Sequence, residues 1–153
     1  MAVTLEIFVE RVNGLELYLK KAAREILFKH EKKIIDMSNA QLMEGKNVKD
    51  KVMQEGYSKQ YGKRRQKKGL QTKFVDLRFS GKYQDTKVLV SATGNDAFFN
   101  KGIGFNIKSD VDYEQYLRKN YKNHIGLNKA NAEIISEDIV DGIAQLTKKY
   151  LIA

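Results

Sequence analysis

Lys87-Val88-Leu89-Val90-Ser91-Ala92, followed by Thr93-Gly94-Asn95-Asp96, is the stretch that decides the fold. β-branched and aliphatic side chains fill the first part and Gly and Asn supply turn chemistry behind it, so the segment reads as a strand entering a turn. Ala97-Phe98-Phe99 can begin a return strand, and Gly104-Phe105-Asn106-Ile107-Lys108-Ser109 alternates as a strand with one buried face does. Upstream, Phe74 to Phe79 alternates only weakly before Ser80-Gly81 breaks it. The strand signal is confined to this short region.

Helical spacing takes over on both sides. Thr4 can cap a short helix carrying Leu5, Phe8 and Val12, and Asn13-Gly14-Leu15-Glu16 has the form of a second N-cap, which predicts a break and a restart. Leu15, Leu19, Ala22, Ile26, His30 and Ile34 then recur every three or four residues, predicting an amphipathic helix of about six turns. Val3, Leu5, Ile7 and Val9 also alternate as a strand would, but the 3/4 spacing beyond them favours helix. Downstream, Asp110 caps a short helix with Tyr113, Tyr116 and Leu117 on one side. Asn128 caps a last helix whose stripe is Ile134/Ile135, Ile139, Ile143, Leu146 and Tyr150. The expected class is α+β: a long N-terminal helix and a C-terminal helix packed on a small antiparallel sheet, in one domain spanning 1–153. Residues 37–75 are expected to form an extended or irregular, arm-like connection. Gly45 is its stop and Leu42 and Met43 its strong apolar anchors. Within it, Tyr57, Tyr61 and the bases to Lys68 form a helix ended by Gly69 in a left-handed cap.

The 153 residues hold 28 Lys+Arg against 19 Asp+Glu, a net charge of +9. Between Glu55 and Asp76 there is no acid, whereas Lys59, Lys63, Arg64, Arg65, Lys67, Lys68 and Lys73 all fall there, leaving +2 for the rest. The basicity is local. Together with Tyr57 and Tyr61, these bases form a candidate contact for phosphates or for an acidic partner; a solvated helix face or mobile arm carries the same pattern. Phosphate contacts of this kind are salt-sensitive and carry no sequence information.

Catalytic chemistry is poorly provided for. With no Cys, disulfides, thiol catalysis and Cys-ligated metals are excluded. His30 falls on an apolar stripe and reads as a core or interface residue, and His124, in a Lys/Asn-rich loop, as solvated. Asp110, Asp112 and Glu114 could hold Mg²⁺, but acids at the first turn of a helix offset its dipole, and that reading is favoured because no second acidic group is placed to complete a site. Gly102-Ile103-Gly104 lacks the third glycine of a dinucleotide-binding loop, and no phosphate-binding Gly-Lys-Ser/Thr or nucleophile elbow occurs. No enzyme, cofactor or metal is expected. No apolar run approaches the roughly 20 residues that cross a bilayer, so no membrane partner is expected either.

Several spaced motifs carry a resemblance. Tyr57-Ser58-x-x-Tyr61-x-x-Arg64-Arg65-x-Lys67-x-Gly69-Leu70 comes first, then Val75-Asp76-Leu77-Arg78-x-Ser80-Gly81-x-Tyr83. Ile107-x-Ser109 follows, and Ile125-Gly126-Leu127-Asn128 precedes the closing helix. Over residues 34–150 this pattern resembles a small virion-associated protein family of tailed phages infecting Bacteroidetes, crAss-like phages included. The layout is more distantly similar to tail-completion and head–tail joining proteins, with Leu77-Arg78-Phe79-Ser80-Gly81 in the place of their Leu-x-x-Thr/Ser-Gly segment. The glutamate–glycine–threonine motif and the proline segment of those proteins are absent. The resemblance implies a neck or connector subunit in the virion, assembled in the host cytoplasm, forming a homo-oligomeric ring between portal and tail. Its partners would be itself, the portal, other neck or tail proteins and the packaged double-stranded DNA. Ring contacts would be made by the long helices and the sheet edge, and Leu42, Met43, Phe98 and Phe99 are the candidate subunit contacts, with an ordinary core position the favoured alternative for each. A nucleic-acid-binding accessory protein using the basic 57–73 segment is the alternative.

Overall fold

A computed structural model describes residues 4–91 and 105–152. Six helices and two strands are formed among them: α1 (Leu5–Lys29), α2 (Glu31–Met43), α3 (Lys59–Lys67), α4 (Lys82–Asp85), β1 (Lys87–Ser91), β2 (Phe105–Ser109), α5 (Glu114–Asn120) and α6 (Lys129–Ile152). The class is α+β, with long helices at both ends and a small antiparallel sheet. Phe98 and Phe99 lie outside the described residues.

β1 and β2 pair antiparallel, with Leu89 opposite Ile107 and Lys87 opposite Ser109. These four side chains are buried, while Val88, Asn106 and Lys108 are exposed, so the period-two pattern becomes one inner face and one wet face. Leu89 and Ile107 meet Ile26, Leu27, Ile34, Ile135 and Ile139 in the main core. Leu27 and Ile34 are wholly buried, each worth about 2–3 kcal/mol of transfer free energy. A second cluster, Leu42, Tyr83, Val111 and Leu117, lies at the other end of α2. The sheet edges are blunted: the Leu89 N–H donates to Glu31 (2.8 Å), the Ser109 N–H donates to Glu114 (3.1 Å), and the Ile107 carbonyl accepts from Arg118 (3.1 Å). These outward backbone groups are therefore not offered to a neighbouring strand.

α1 starts at Thr4, whose hydroxyl accepts from the Ile7 N–H, and runs unbroken through Asn13-Gly14. The expected break there does not occur, because Gly14 serves packing instead: a Cβ on it would lie 2.8 Å from the Tyr150 hydroxyl of α6. Tyr18 and Tyr150 stack at 4.1 Å, and Gly142 lets Ile26 approach α6. The break falls at His30 instead, between α1 and α2. His30 is half-buried there, 3.7 Å from Asp138, which also pairs with Lys33 at 2.5 Å.

Residues 37–75 are not an arm. α2 continues to Met43, Gly45 turns the chain in a left-handed conformation (φ 74°), and bridges pair Lys46 with Val52 and Glu55 with Phe74. The connection is irregular between α2 and α3, yet it is tied to the body through buried Leu42, Arg65 and Val75. Asn128 caps α6 as its sequence indicates, accepting from the Asn131 N–H at 2.9 Å.

Candidate interaction surface

α3 begins at Ser58, whose hydroxyl accepts from the Tyr61 N–H, and ends before Gly69, at φ 68°. Lys59, Lys63 and Lys67 recur every four residues and are exposed, whereas Tyr61 and Arg65, also four apart, face inward. Arg64, Lys68 and Lys73 are exposed too. Arg65 departs from the expectation of a phosphate contact. It is 1% exposed and its guanidinium pairs with both carboxylate oxygens of Asp76 at 2.9 Å, leaving nothing for an outside partner. It also donates to the carbonyls of Gln71 (2.8 Å) and Arg78 and lies over the Tyr57 ring.

Asp76 is the hub of this anchor. It accepts from Tyr57 (2.8 Å), Gln71 (2.7 Å) and the Arg78 N–H (2.9 Å) in addition to Arg65. Burial pushes the Tyr57 phenol well above its ordinary range. A carboxylate so enclosed is stable only with its full set of donors. The first acid after the long basic run therefore pins that run to the protein.

Beside α3 opens a cleft of about 650 Å³ lined by Tyr57, Tyr61, Tyr83, Tyr113, Tyr116 and Tyr121. Tyr61 and Phe79 are tilted together at 5.5 Å on the α3 side, and Tyr113, Tyr116 and Tyr121 come from α5 and its flanks. Leu77, at a left-handed φ of 55°, and Leu117 bring the second core cluster up to the cleft. Tyr83 reaches back into the protein, where its hydroxyl meets His124 Nε2 at 2.8 Å. His124 is 1% exposed, contrary to its reading as a solvated loop residue, and burial holds its pKa below the ordinary value. Next to it Lys87 is buried on the inner face of β1, its ammonium nitrogen 3.3 Å from the Ser38 hydroxyl and 5.2 Å from the centre of the Tyr83 ring.

The remaining candidates separate. Leu42 is fully buried in the second core cluster and is no subunit contact; Met43, one residue further round the helix, is 47% exposed. Asp110 and Asp112 are exposed, and Glu114 is engaged by Ser109 and Arg118. Among the described residues no group of three or more His, Asp or Glu is placed to hold a metal ion, and no helix is long and apolar enough to cross a membrane. The spacing of Leu5, Phe8 and Val12 indicates a helix face but not its exposure: these three and Val9, on the first turns of α1, are 78%, 42%, 45% and 50% exposed. They share one face that α6 leaves uncovered. A second apolar feature, a groove of about 280 Å³, lies beside α6 between Phe105, Leu127, Ile139 and Val140. Compared with known protein families, curated protein sequences and solved structures, the chain finds no match.

Proposed function

We propose that this protein is a non-enzymatic structural subunit of a tailed-phage particle, at the head–tail junction, where copies of it close a ring around the DNA exit channel. The observation that carries this reading is the bare apolar stripe Leu5, Phe8, Val9 and Val12 on α1. A contiguous apolar face of this kind marks an interaction site. A closed ring is made by a heterologous contact, which needs two different, complementary patches on every copy. The groove walled by Phe105, Leu127 and Val140 is the second patch. The resemblance of residues 34–150 to phage virion proteins supplies the location, with portal and tail proteins as the further partners.

Native mass spectrometry tests the contact. The protein should give one closed oligomer. Phe8→Ser/Val12→Ser should give monomer, as should Val140→Lys, and mixing the two variants should give dimers, because one intact contact is left per pair. A wild-type protein that stays monomeric at all concentrations, or variants that still close the ring, contradicts the reading.

The alternative, a nucleic-acid-binding accessory protein, is favoured by the exposed Lys59, Lys63 and Lys67 face of α3. It requires affinity for duplex DNA that declines steeply from low to physiological salt and is lost in Lys63→Glu/Lys67→Glu. Binding unchanged by that reversal disposes of it. In a neck ring the same face would turn toward the exiting DNA.

A further inference from the structure

The tyrosine cleft takes no part in the ring contact, and its lining defines what it can hold. No lining residue is charged. A nucleic-acid strand carries a phosphate at every step, and those laid along the floor would find no cation among the lining residues, which is costly. An extended polypeptide has the opposite character. Its apolar side chains fit between flat rings, while its carbonyls and N–H groups need the kind of partners that Gln54, Ser58, Ser80 and the phenol hydroxyls provide. Tyr57 and Tyr83 spend their hydroxyls on Asp76 and His124. Tyr113 and Tyr116, 44% and 64% exposed, are the rings presented to a ligand.

The lining is uncharged, and the exposed charged residues that flank it in sequence are mostly positive. Lys68 sits over the outer ring, its nitrogen 4.5 Å from the centre of Phe79. Lys59, Arg78, Lys82 and Lys122 adjoin lining residues in sequence and are exposed; Glu55 and Asp112 are the exposed acids that do so. Glu114 and Arg118, which also adjoin it, are paired with each other at 2.8 Å. We propose that the cleft is a docking slot for an extended, polyproline II segment of a partner protein, with acidic residues flanking that segment. The rings of Tyr61, Phe79, Tyr113 and Tyr116 hold the apolar turns, and Lys68 receives the carboxylates. A polyproline II segment suits a slot of aromatic rings because it is extended before it binds and loses little entropy there. None of the 153 residues is proline, so a proline-rich segment would come from outside them. The proposal does not depend on the ring.

The test is a titration of the full-length protein followed through its tyrosine ring signals by NMR, six of the eight tyrosines lining the cleft. The probe is an octaproline peptide ending in three glutamates; the controls are the same peptide ending in three lysines and a dodecathymidylate strand. The glutamate peptide should shift Tyr113 and Tyr116 and bind at least about tenfold tighter than the lysine peptide. Tyr116→Ala, which removes a mostly exposed ring and leaves the fold intact, should weaken it by about tenfold or more, as loss of an aromatic anchor does. Lys68→Glu should erase the preference for the acidic peptide. Three results would overturn the proposal: no tyrosine shift with the glutamate peptide, an equal or greater shift with dodecathymidylate, or unchanged affinity in Tyr116→Ala. Because Phe8→Ser/Val12→Ser should leave this titration unaltered, failure of the slot and failure of the ring are distinguishable.

Discussion

Replacing Lys87 by Met should stabilise the protein, and by an amount that depends on pH. Lys87 is 4% exposed, its hydrogen bond goes to the neutral Ser38 hydroxyl, and among the described residues no carboxylate pairs with it. Burial pushes its pKa from 10.5 down to about 7. Between those values the unfolded chain holds a proton that the folded protein does not, so stability rises as pH increases from about 7 toward 10.5. The penalty is fully present below this window and fades across it. At 1.36 kcal/mol per pH unit it comes to about 4 kcal/mol at pH 7 and about 1 kcal/mol at pH 10. Met has nearly the same length and no charge, while the lost Ser38 contact costs about 1 kcal/mol. Lys87→Met should therefore gain about 3 kcal/mol at pH 7 and nothing at pH 10. Urea denaturation of both proteins, followed by circular dichroism at pH 7, 8, 9 and 10, reads the difference directly. The ionisation of the buried tyrosines at high pH is common to both and cancels. A gain that is absent at pH 7, or that is the same at every pH, refutes the reasoning.

Other outcomes follow from the same structure. Asp76→Ala strands a buried guanidinium and should cost about 3–5 kcal/mol in urea denaturation, part of which Arg65→Met in the same background should restore. Gly45→Ala should cost about 1–3 kcal/mol, since the backbone there is left-handed and a Cβ would overlap the Phe74 ring; an unchanged denaturation midpoint contradicts that. Burial holds the His124 pKa below 6.5, so the folded state protonates later than the unfolded chain and stability should fall as pH drops below that value. His124→Gln should flatten this slope between pH 7 and pH 5.

The sheet and the closing helix were readable because their burial follows a simple period. Ile107 alternates with exposed Asn106 and Lys108, Leu89 lies between exposed Val88 and half-buried Val90, and Ile135 and Ile139 lie one turn apart. The helix break was misplaced because Asn13-Gly14 has the chemistry of a cap, although what requires the glycine is Tyr150, far away in sequence. Arg65 looks like its basic neighbours until Asp76 closes over it; the signal was its four-residue spacing from Tyr61 and the single acid that ends the basic run. His124 gave no local sign of burial, because Tyr83, which buries it, arrives from forty-one residues away. The six tyrosines of the cleft are likewise scattered from Tyr57 to Tyr121, and only the fold brings them to line one cleft.

Imaging of purified particles bears most directly on the proposed role. Electron microscopy of virions should find this chain in many copies arranged as a ring on the particle axis between portal and tail, with the first turns of α1 at the contact between neighbours and α3 toward the DNA. Particles complete without it, or a chain found only as a free monomer in infected cells, would contradict a structural role at the junction.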